Sequence, residues 1–278
     1  MASVTPSELV DLIEIRSDLL ILQGSLNPSD TEAYNASRIP GALLFDVRVC
    51  SDRISPLPFT IPPEDVFEKY VRRLEIVRRR AVAPSTRVIV YDASANGIVS
   101  AARIWWMFRL FGHDRVSVLS GGLAGWKENR DDVETGEPAP IDRSALFDVD
   151  VDGERFVAAL RPDLVENFEG VVRNVDEKRF QLIDARSPAD FALGSIAGAK
   201  NLRFLDVVDD ERRIKSKEAL DRLFDDAGID LRAPLAAFCR SGVTTCCVVL
   251  AAFICGNSQV AVYDGSWTEW TAERSEKI

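Results

Sequence analysis

Apolar residues recur along this chain in two alternating rhythms: short continuous runs, and longer stretches with helical spacing. In the first half, Thr5-Pro6-Ser7-Glu8 reads as a capping box with proline at the first helical position, and Leu9, Leu12 and Ile13 then share one helix face. The apolar run at 19–22 predicts a buried strand, 64–77 a helix and 87–91 a strand; 100–110 predicts a helix stopped by Gly112, and 116–119 a strand. The second half repeats this order with a helix at 154–160, a strand at 180–183, a helix at 217–226, a strand at 235–238, a helix at 243–255 and a strand at 260–263. The stretch 243–255 is apolar all round and rich in β-branched residues, so periodicity alone leaves strand and helix open. Its length and the Gly256-Asn257 stop favour a buried helix.

The repetition extends to particular residues. Ile39-Pro40-Gly41-Ala42 returns 157 positions later as Ile196-Ala197-Gly198-Ala199. The run from Val116 to Trp126 returns as Val260 to Trp270 at an offset of 144, and Val88-Ile89-Val90-Tyr91-Asp92 as Leu235-Ala236-Ala237-Phe238-Cys239 at 147. Offsets that drift in the same order are what a duplicated domain with loop insertions leaves behind. Strands alternating with helices imply a central, mainly parallel sheet with helices on both faces. The expected fold is α/β, with domains at 1–135 and 145–278 joined near 134–143, where Gly136, Pro138 and Pro140 mark a linker.

Composition narrows the function. A net charge of −10 argues against a nucleic-acid binder, since phosphate neutralisation needs clustered Lys and Arg. The basic run Arg72-Arg73 with Arg78-Arg79-Arg80 reads as a solvated helix face beside Glu64, Asp65, Glu68 and Glu75. The longest apolar stretch, 246–255, is about half of a bilayer span, so no membrane partner is expected. No secretory or mitochondrial signal is visible at the amino terminus, which makes the cytoplasm the expected compartment, with a mitochondrial location left open. A single histidine excludes a His-based metal site, and His113 itself reads as a turn or capping residue. Five cysteines without regular spacing suggest neither a disulfide framework nor zinc, and neither metal nor cofactor is expected.

One cysteine stands apart. In parallel sheets ligands bind beyond the carboxyl ends of strands, where Cys239 follows the strand 235–238 and opens the loop Arg240-Ser241-Gly242-Val243-Thr244 into a helix. Such a loop can turn successive N–H groups inward as a nest for negative charge. Lowering a thiol pKa by about two units takes roughly 2.7 kcal/mol. A helix end supplies about 0.3–1 kcal/mol and up to ~2 when partly buried, so inward amides or Arg240 must contribute. Cys246, Cys247 and Cys255 read as packing residues of the following helix, while Cys50 sits in a polar loop with no readable partner.

Together these residues resemble the tandem-domain rhodaneses, the thiosulfate and 3-mercaptopyruvate sulfurtransferases. The resemblance runs from about Ser7 to Trp270 and is carried by Ile39-Pro40-Gly41-Ala42, Cys50-Ser51-Asp52-Arg53 with Ser55-Pro56, Tyr91-Asp92-Ala93-Ser94, Trp105-Trp106-Met107-Phe108-Arg109, Phe111-Gly112-His113 and Tyr263-Asp264-Gly265-Ser266-Trp267. It implies a silent amino-terminal copy, with Asp92 standing where Cys239 stands in the repeat. It also implies a double displacement in which Cys239 takes sulfur from a small anionic donor, holds it as a persulfide within residues 240–244, and passes it to cyanide or a thiol such as thioredoxin. Arg186, after the strand 180–183, matches the arginine with which the family holds the anionic part of the donor; a surface ion pair with Asp184 or Asp190 is the alternative. Arg240 is the loop's own cationic candidate.

The chain departs from both subfamily patterns. Thiosulfate enzymes resemble Cys-Arg-Lys-Gly-Val-Thr and mercaptopyruvate enzymes Cys-Gly-Ser-Gly-Val-Thr; Arg240 follows the first and Ser241 the second. A second donor-binding arginine of the mercaptopyruvate group is here Asp190, and the aspartate and histidine of that group fall on Arg48 and Phe59. The balance tips slightly toward thiosulfate or a broad specificity. A phosphatase loop would need an arginine where Thr245 stands, whereas a weakly catalytic paralogue that carries persulfide or binds a partner remains open.

Overall fold

The structure, a computed structural model, describes residues 2–15, 18–78, 81–94, 97–130, 132–138 and 155–275, the side chains of 75–78 and 275 excepted. The first half runs β1 (Ser3–Val4), α1 (Pro6–Glu14), β2 (Leu19–Ser25), α2 (Ser29–Ala36), β3 (Leu43–Asp46), α3 (Glu64–Arg78), β4 (Arg87–Tyr91), α4 (Val99–Leu110), β5 (Val116–Leu119) and α5 (Gly122–Asn129). The second runs β6 (Val165–Glu166), α6 (Phe168–Glu177), β7 (Gln181–Asp184), α7 (Pro188–Leu193), β8 (Lys200–Asn201), α8 (Lys217–Asp226), β9 (Leu235–Phe238), α9 (Thr245–Ile254), β10 (Val260–Tyr263) and α10 (Ser266–Ser275). The sheets are ordered β1-β5-β4-β2-β3 and β6-β10-β9-β7-β8, the same strand for strand, and every pairing is parallel. The duplicated α/β architecture expected from the repeats is therefore present in two domains.

The expected capping box is formed at α1: the Glu8 N–H donates to Thr5 Oγ1 at 3.2 Å, and the Thr5 N–H to Glu8 Oε2 at 2.7 Å. The ambiguous stretch after Cys239 is a helix, two residues later at its start than expected. The helix expected at 154–160 does not form. Its described residues run without helical structure across the first domain, where the N–H groups of Phe156, Ala159 and Arg161 donate to the carbonyls of Val82, Phe111 and Leu110 at 2.7–3.0 Å. Backbone pairing with the other domain overrides the local propensity of Ala158-Ala159-Leu160. The helix appears instead as α6, where the Asn167 side chain caps the Gly170 N–H. The expected linker falls largely on residues outside those described.

The two domains share one core. A single apolar cluster runs from Leu20 and Leu22 of β2 through all-buried α4 and nearly all-buried α9 to Val262 of β10. Trp105 meets Phe253 edge-on at 5.3 Å, and the Arg109 guanidinium lies over the same Phe253 ring at 4.3 Å. The duplicated halves also clasp each other reciprocally. The Ile61 N–H donates to Asp264 Oδ2 beyond β10 at 2.8 Å, and the Ile214 N–H donates to Ser120 Oγ, at the matching place beyond β5, at 2.9 Å.

His113 does sit in the turn after α4, its N–H donating to the Phe108 carbonyl, but its ring is buried and stacked on Phe156 at 5.3 Å. Burial pushes its pKa down to about 4, against 6.5 ordinarily. The unfolded chain therefore binds a proton there that the folded one refuses, so this contribution to stability is whole above pH 6.5 and is lost as pH falls toward 4. Denaturant unfolding at pH 7 and pH 4.5 should show a loss of about 2–3 kcal/mol that His113→Gln largely removes.

Candidate active site

Cys239 leaves the end of β9 at the centre of its sheet, flanked by β7 and β10. Its loop is shaped by what holds the carbonyls. The Cys239 carbonyl accepts from the Trp267 N–H at 3.1 Å, that of Arg240 from the Thr268 N–H at 3.0 Å, and those of Val243 and Thr244 from the N–H groups of Cys246 and Cys247 at 3.1 Å each. The Gly242 carbonyl accepts from Arg103 Nη1 at 3.1 Å. All of these donors lie outside the loop, on α4, α9 and α10. Because a trans peptide points its C=O and N–H in opposite directions, the N–H groups of Arg240, Ser241, Val243, Thr244 and Thr245 turn the other way, into the loop. None of the five has an acceptor among the described residues. That arrangement is a nest for an anion. Cys239 itself lies beneath the loop, only 1% exposed, with its own N–H donating to Ser266 Oγ at 3.3 Å.

Gly242 permits the turn. Its φ is +74°, and a Cβ there would meet the Asp264 carbonyl oxygen at 2.7 Å. Arg103, from α4 of the other domain, fixes the same peptide. Wholly buried, it also donates to Asp264 Oδ1 at 3.0 Å and the Phe59 carbonyl at 2.6 Å, and it stacks over Trp106 at 4.6 Å. Asp264 is thus held by Arg103 on one oxygen and by the Ile61 N–H on the other.

Beside the loop lies a cavity of about 560 Å³ lined by residues that include Arg186, Asp190, Arg240, Thr244 and Trp267. The structure thus brings Arg186 and Arg240 together. Arg240 is exposed, with no ion-pair partner among the described residues. Arg186 is locked. Its Nε reaches Asp184 Oδ1 and Oδ2 at 3.0 and 3.1 Å, its Nη2 reaches Asp184 Oδ2 at 2.6 Å and the Gly194 carbonyl at 2.7 Å, and the guanidinium lies over Trp267 at 4.2 Å. The ion pair weighed against a binding role exists, but it is buried, and it leaves Nη1 without a partner among the described residues. Arg48 forms its own fork with Asp46, while Phe59, at φ +62°, presents its carbonyl to Arg103.

The described part of the duplicate loop carries a carboxylate that takes up amide donors. Asp92 follows β4 as Cys239 follows β9, and its carbonyl accepts from the Leu123 N–H at 3.0 Å, the counterpart of Trp267. Its Oδ1 accepts from the Ser94 N–H at 2.8 Å, and its Oδ2 from the Ser100 N–H at 2.8 Å and Ser100 Oγ at 2.7 Å. In the first half a carboxylate thus stands at the strand end where the second half has the Cys239 side chain.

The remaining thiols are held neutral. Burial pushes those of Cys50 and Cys247 well up, and those of Cys246 and Cys255 up to about 12. Cys50 proves to be a core residue, Cys246 and Cys247 are buried in α9, and Cys255 is the half-buried cap residue at its end. The exposed Arg72 pairs with Glu68 on α3, as a solvated face would; the side chains of Arg78, Arg79 and Arg80 lie outside those described. Reading the sequence missed Arg103, Asp264 and Trp267. Arginine inside the apolar stretch 100–110, at 103 as well as 109, was the available signal for the first, and the two others lie within Tyr263-Asp264-Gly265-Ser266-Trp267, which the sequence offers only as a marker.

With this geometry in view, comparison with known proteins gives the class. The model of the Rhodanese-like domain matches twice, over residues 6–129 and 168–273, and the chain belongs to the tandem rhodanese-domain sulfurtransferase family. It is 38% identical over 250 residues to 3-mercaptopyruvate sulfurtransferase of Homo sapiens, covering 85% of this chain and 78% of that protein. It is 37% identical over 277 residues to thiosulfate sulfurtransferase of Gallus gallus, covering 95% and 90%. The crystal structure of SseA from Escherichia coli, described as a 3-mercaptopyruvate sulfotransferase, superposes with a TM-score of 0.79 at 32% identity, over 95% of this chain and 98% of that one. Both donor types stand among its relatives at nearly the same identity, so the comparisons leave the subtype unresolved. No described helix is long and apolar enough to cross a membrane.

Two substitutions probe the loop. Gly242→Ala should lower the rate of Cys239 alkylation by iodoacetamide at least tenfold, because the new Cβ displaces the peptide that Arg103 holds. Arg103→Met leaves a buried carboxylate unpaired and should cost about 3–5 kcal/mol in denaturant unfolding. Adding Asp264→Asn should restore much of that stability while leaving alkylation slow.

Proposed function

We propose that the chain is a sulfurtransferase that moves a sulfane sulfur from thiosulfate or 3-mercaptopyruvate to a thiol or cyanide through a persulfide on Cys239. The Cys239 thiolate attacks the outer sulfur of the donor. The new S–S bond forms as the old donor bond breaks, and sulfite or pyruvate enolate departs with the bonding electron pair. The acceptor thiolate or cyanide then attacks the outer sulfur of the persulfide, and Cys239 leaves as a thiolate. Arg186, through Nη1, and Arg240 hold the anionic end of the donor in the cavity beside the loop, while the amides of residues 240–245 carry the charge that develops on sulfur. The first domain performs no chemistry, because Asp92 fills its nest.

The observation that carries this reading is the set of five N–H groups turned inward around one cysteine, with the duplicate nest filled by a carboxylate. A second reading, a persulfide carrier with slow turnover, is favoured by the near-complete burial of Cys239. Thiocyanate formation from thiosulfate and cyanide, assayed beside pyruvate release from mercaptopyruvate with Cys239→Ser as control, separates the two. Turnover of either donor that disappears in Cys239→Ser supports the enzyme. One extra sulfur on Cys239 by intact mass, without turnover of either donor, supports the carrier, and no sulfur on Cys239 under any condition overturns both.

A further inference from the structure

The charges lining the donor cavity do not suit a donor that is negative at every end. Arg186 is neutralised by Asp184, which is buried at its side, and stacking on Trp267 together with the bond to the Gly194 carbonyl keeps its guanidinium from swinging free. With Nε and Nη2 engaged, only its Nη1 amino group is left without a partner among the described residues, which can fix a carboxylate oxygen but not give the two-pronged Nε/Nη grip of an unencumbered arginine. Four residues on, Asp190 lines the same cavity and is exposed. Its Oδ2 accepts from Ser187 Oγ at 2.6 Å and its own N–H donates to Ser187 Oγ at 3.1 Å, which pins the side chain at the start of α7; Oδ1 has no partner among the described residues. The cavity therefore presents a fixed cation and a fixed anion side by side, with the Arg240 charge also on its lining. A carboxylate at Arg186 would bring any second negative group toward Asp190, whereas a positive group there would be attracted.

We propose that the preferred donor is the persulfide of an α-amino acid, its carboxylate on Arg186 Nη1 and its α-ammonium on Asp190. This rests on the sulfur transfer through Cys239 given above and sets a zwitterionic donor ahead of the two named there. The pairing fits a chain in which the ammonium and carboxylate share one carbon, since both protein groups project from a five-residue stretch, and a cavity of about 560 Å³ admits a ligand of that size. In the transfer, the Cys239 thiolate attacks the outer sulfur of R–S–SH, which crosses with its proton. The electron pair of the S–S bond stays with the carbon-bound sulfur as that bond breaks, and the free amino-acid thiolate departs.

The test compares the persulfide of cysteine with that of 3-mercaptopropionate, which differs only in lacking the ammonium. The readout is the rate at which Cys239 gains one sulfur, followed by intact mass at subsaturating donor, in the wild type and in Asp190→Asn. Asparagine can still accept the Ser187 bond, and a thermal melt checks that the variant is folded. The wild type should load about fivefold faster from the cysteine persulfide, a partly exposed ion pair being worth that order of discrimination. Asp190→Asn should bring the two rates together by slowing the cysteine persulfide alone. Equal rates in the wild type, or a preference that survives in Asp190→Asn, overturns the inference while leaving Cys239 as the sulfur acceptor. Failure of both persulfides to load the wild type overturns the sulfurtransferase reading and this inference with it.

Discussion

A guanidinium sealed between two domains is what the loop after Cys239 leans on. Arg103 has no contact with water, so its charge is tolerable only because Asp264, the Gly242 carbonyl and the Phe59 carbonyl all face it. Each of those partners belongs to a different segment, and one is the peptide at the turn of the Cys239 loop. The first domain thereby sets the orientation of an amide in the second. Carbonyls anchored on α9 and α10 orient the other amides in the same way, so the nest is imposed from outside by neighbours, through the rigidity of the peptide plane.

The same economy appears in the choice among thiols. In four of the five cysteines desolvation is the largest influence and keeps the thiol protonated, outweighing the Arg103 guanidinium near Cys246 and Cys50. Cys239 is buried as deeply as most of them, yet it alone is followed by a loop whose carbonyls are all but one drawn outward. Burial therefore does not separate a structural cysteine from a candidate nucleophile here. The direction of the surrounding peptides does.

Much of the frame was legible from sequence because the duplication displays each element twice. The strands at 87–91, 116–119, 235–238 and 260–263 and the helix at 217–226 fall where the patterns place them, since each strand is a mostly buried apolar run and the helix buries Leu220 and Phe224 on one face. The outer strands β1, β3, β6 and β8 were missed because two to four residues at a sheet margin carry no periodic signal. The helix expected at 154–160 failed for a different reason: its backbone is claimed by carbonyls of the other domain, a long-range pairing that no local window contains. In the candidate site, strand-end position pointed to Cys239, and the family resemblance to Arg186 and its place beside the loop. Neither could reveal that Asp184 immobilises Arg186, or that an arginine in an apolar helix over a hundred residues away reaches Gly242.

Asp92 gives the first half a permanent occupant. Its carboxylate accepts from the Ser94 N–H and from the Ser100 N–H and hydroxyl, so these donors are already taken by the chain itself. In the proposed cycle the loop around Cys239 alternates between bare and sulfur-laden forms. The molecule then works as a vice with one fixed jaw and one working jaw, and the fixed jaw is free to serve as the reference against which the other is aligned.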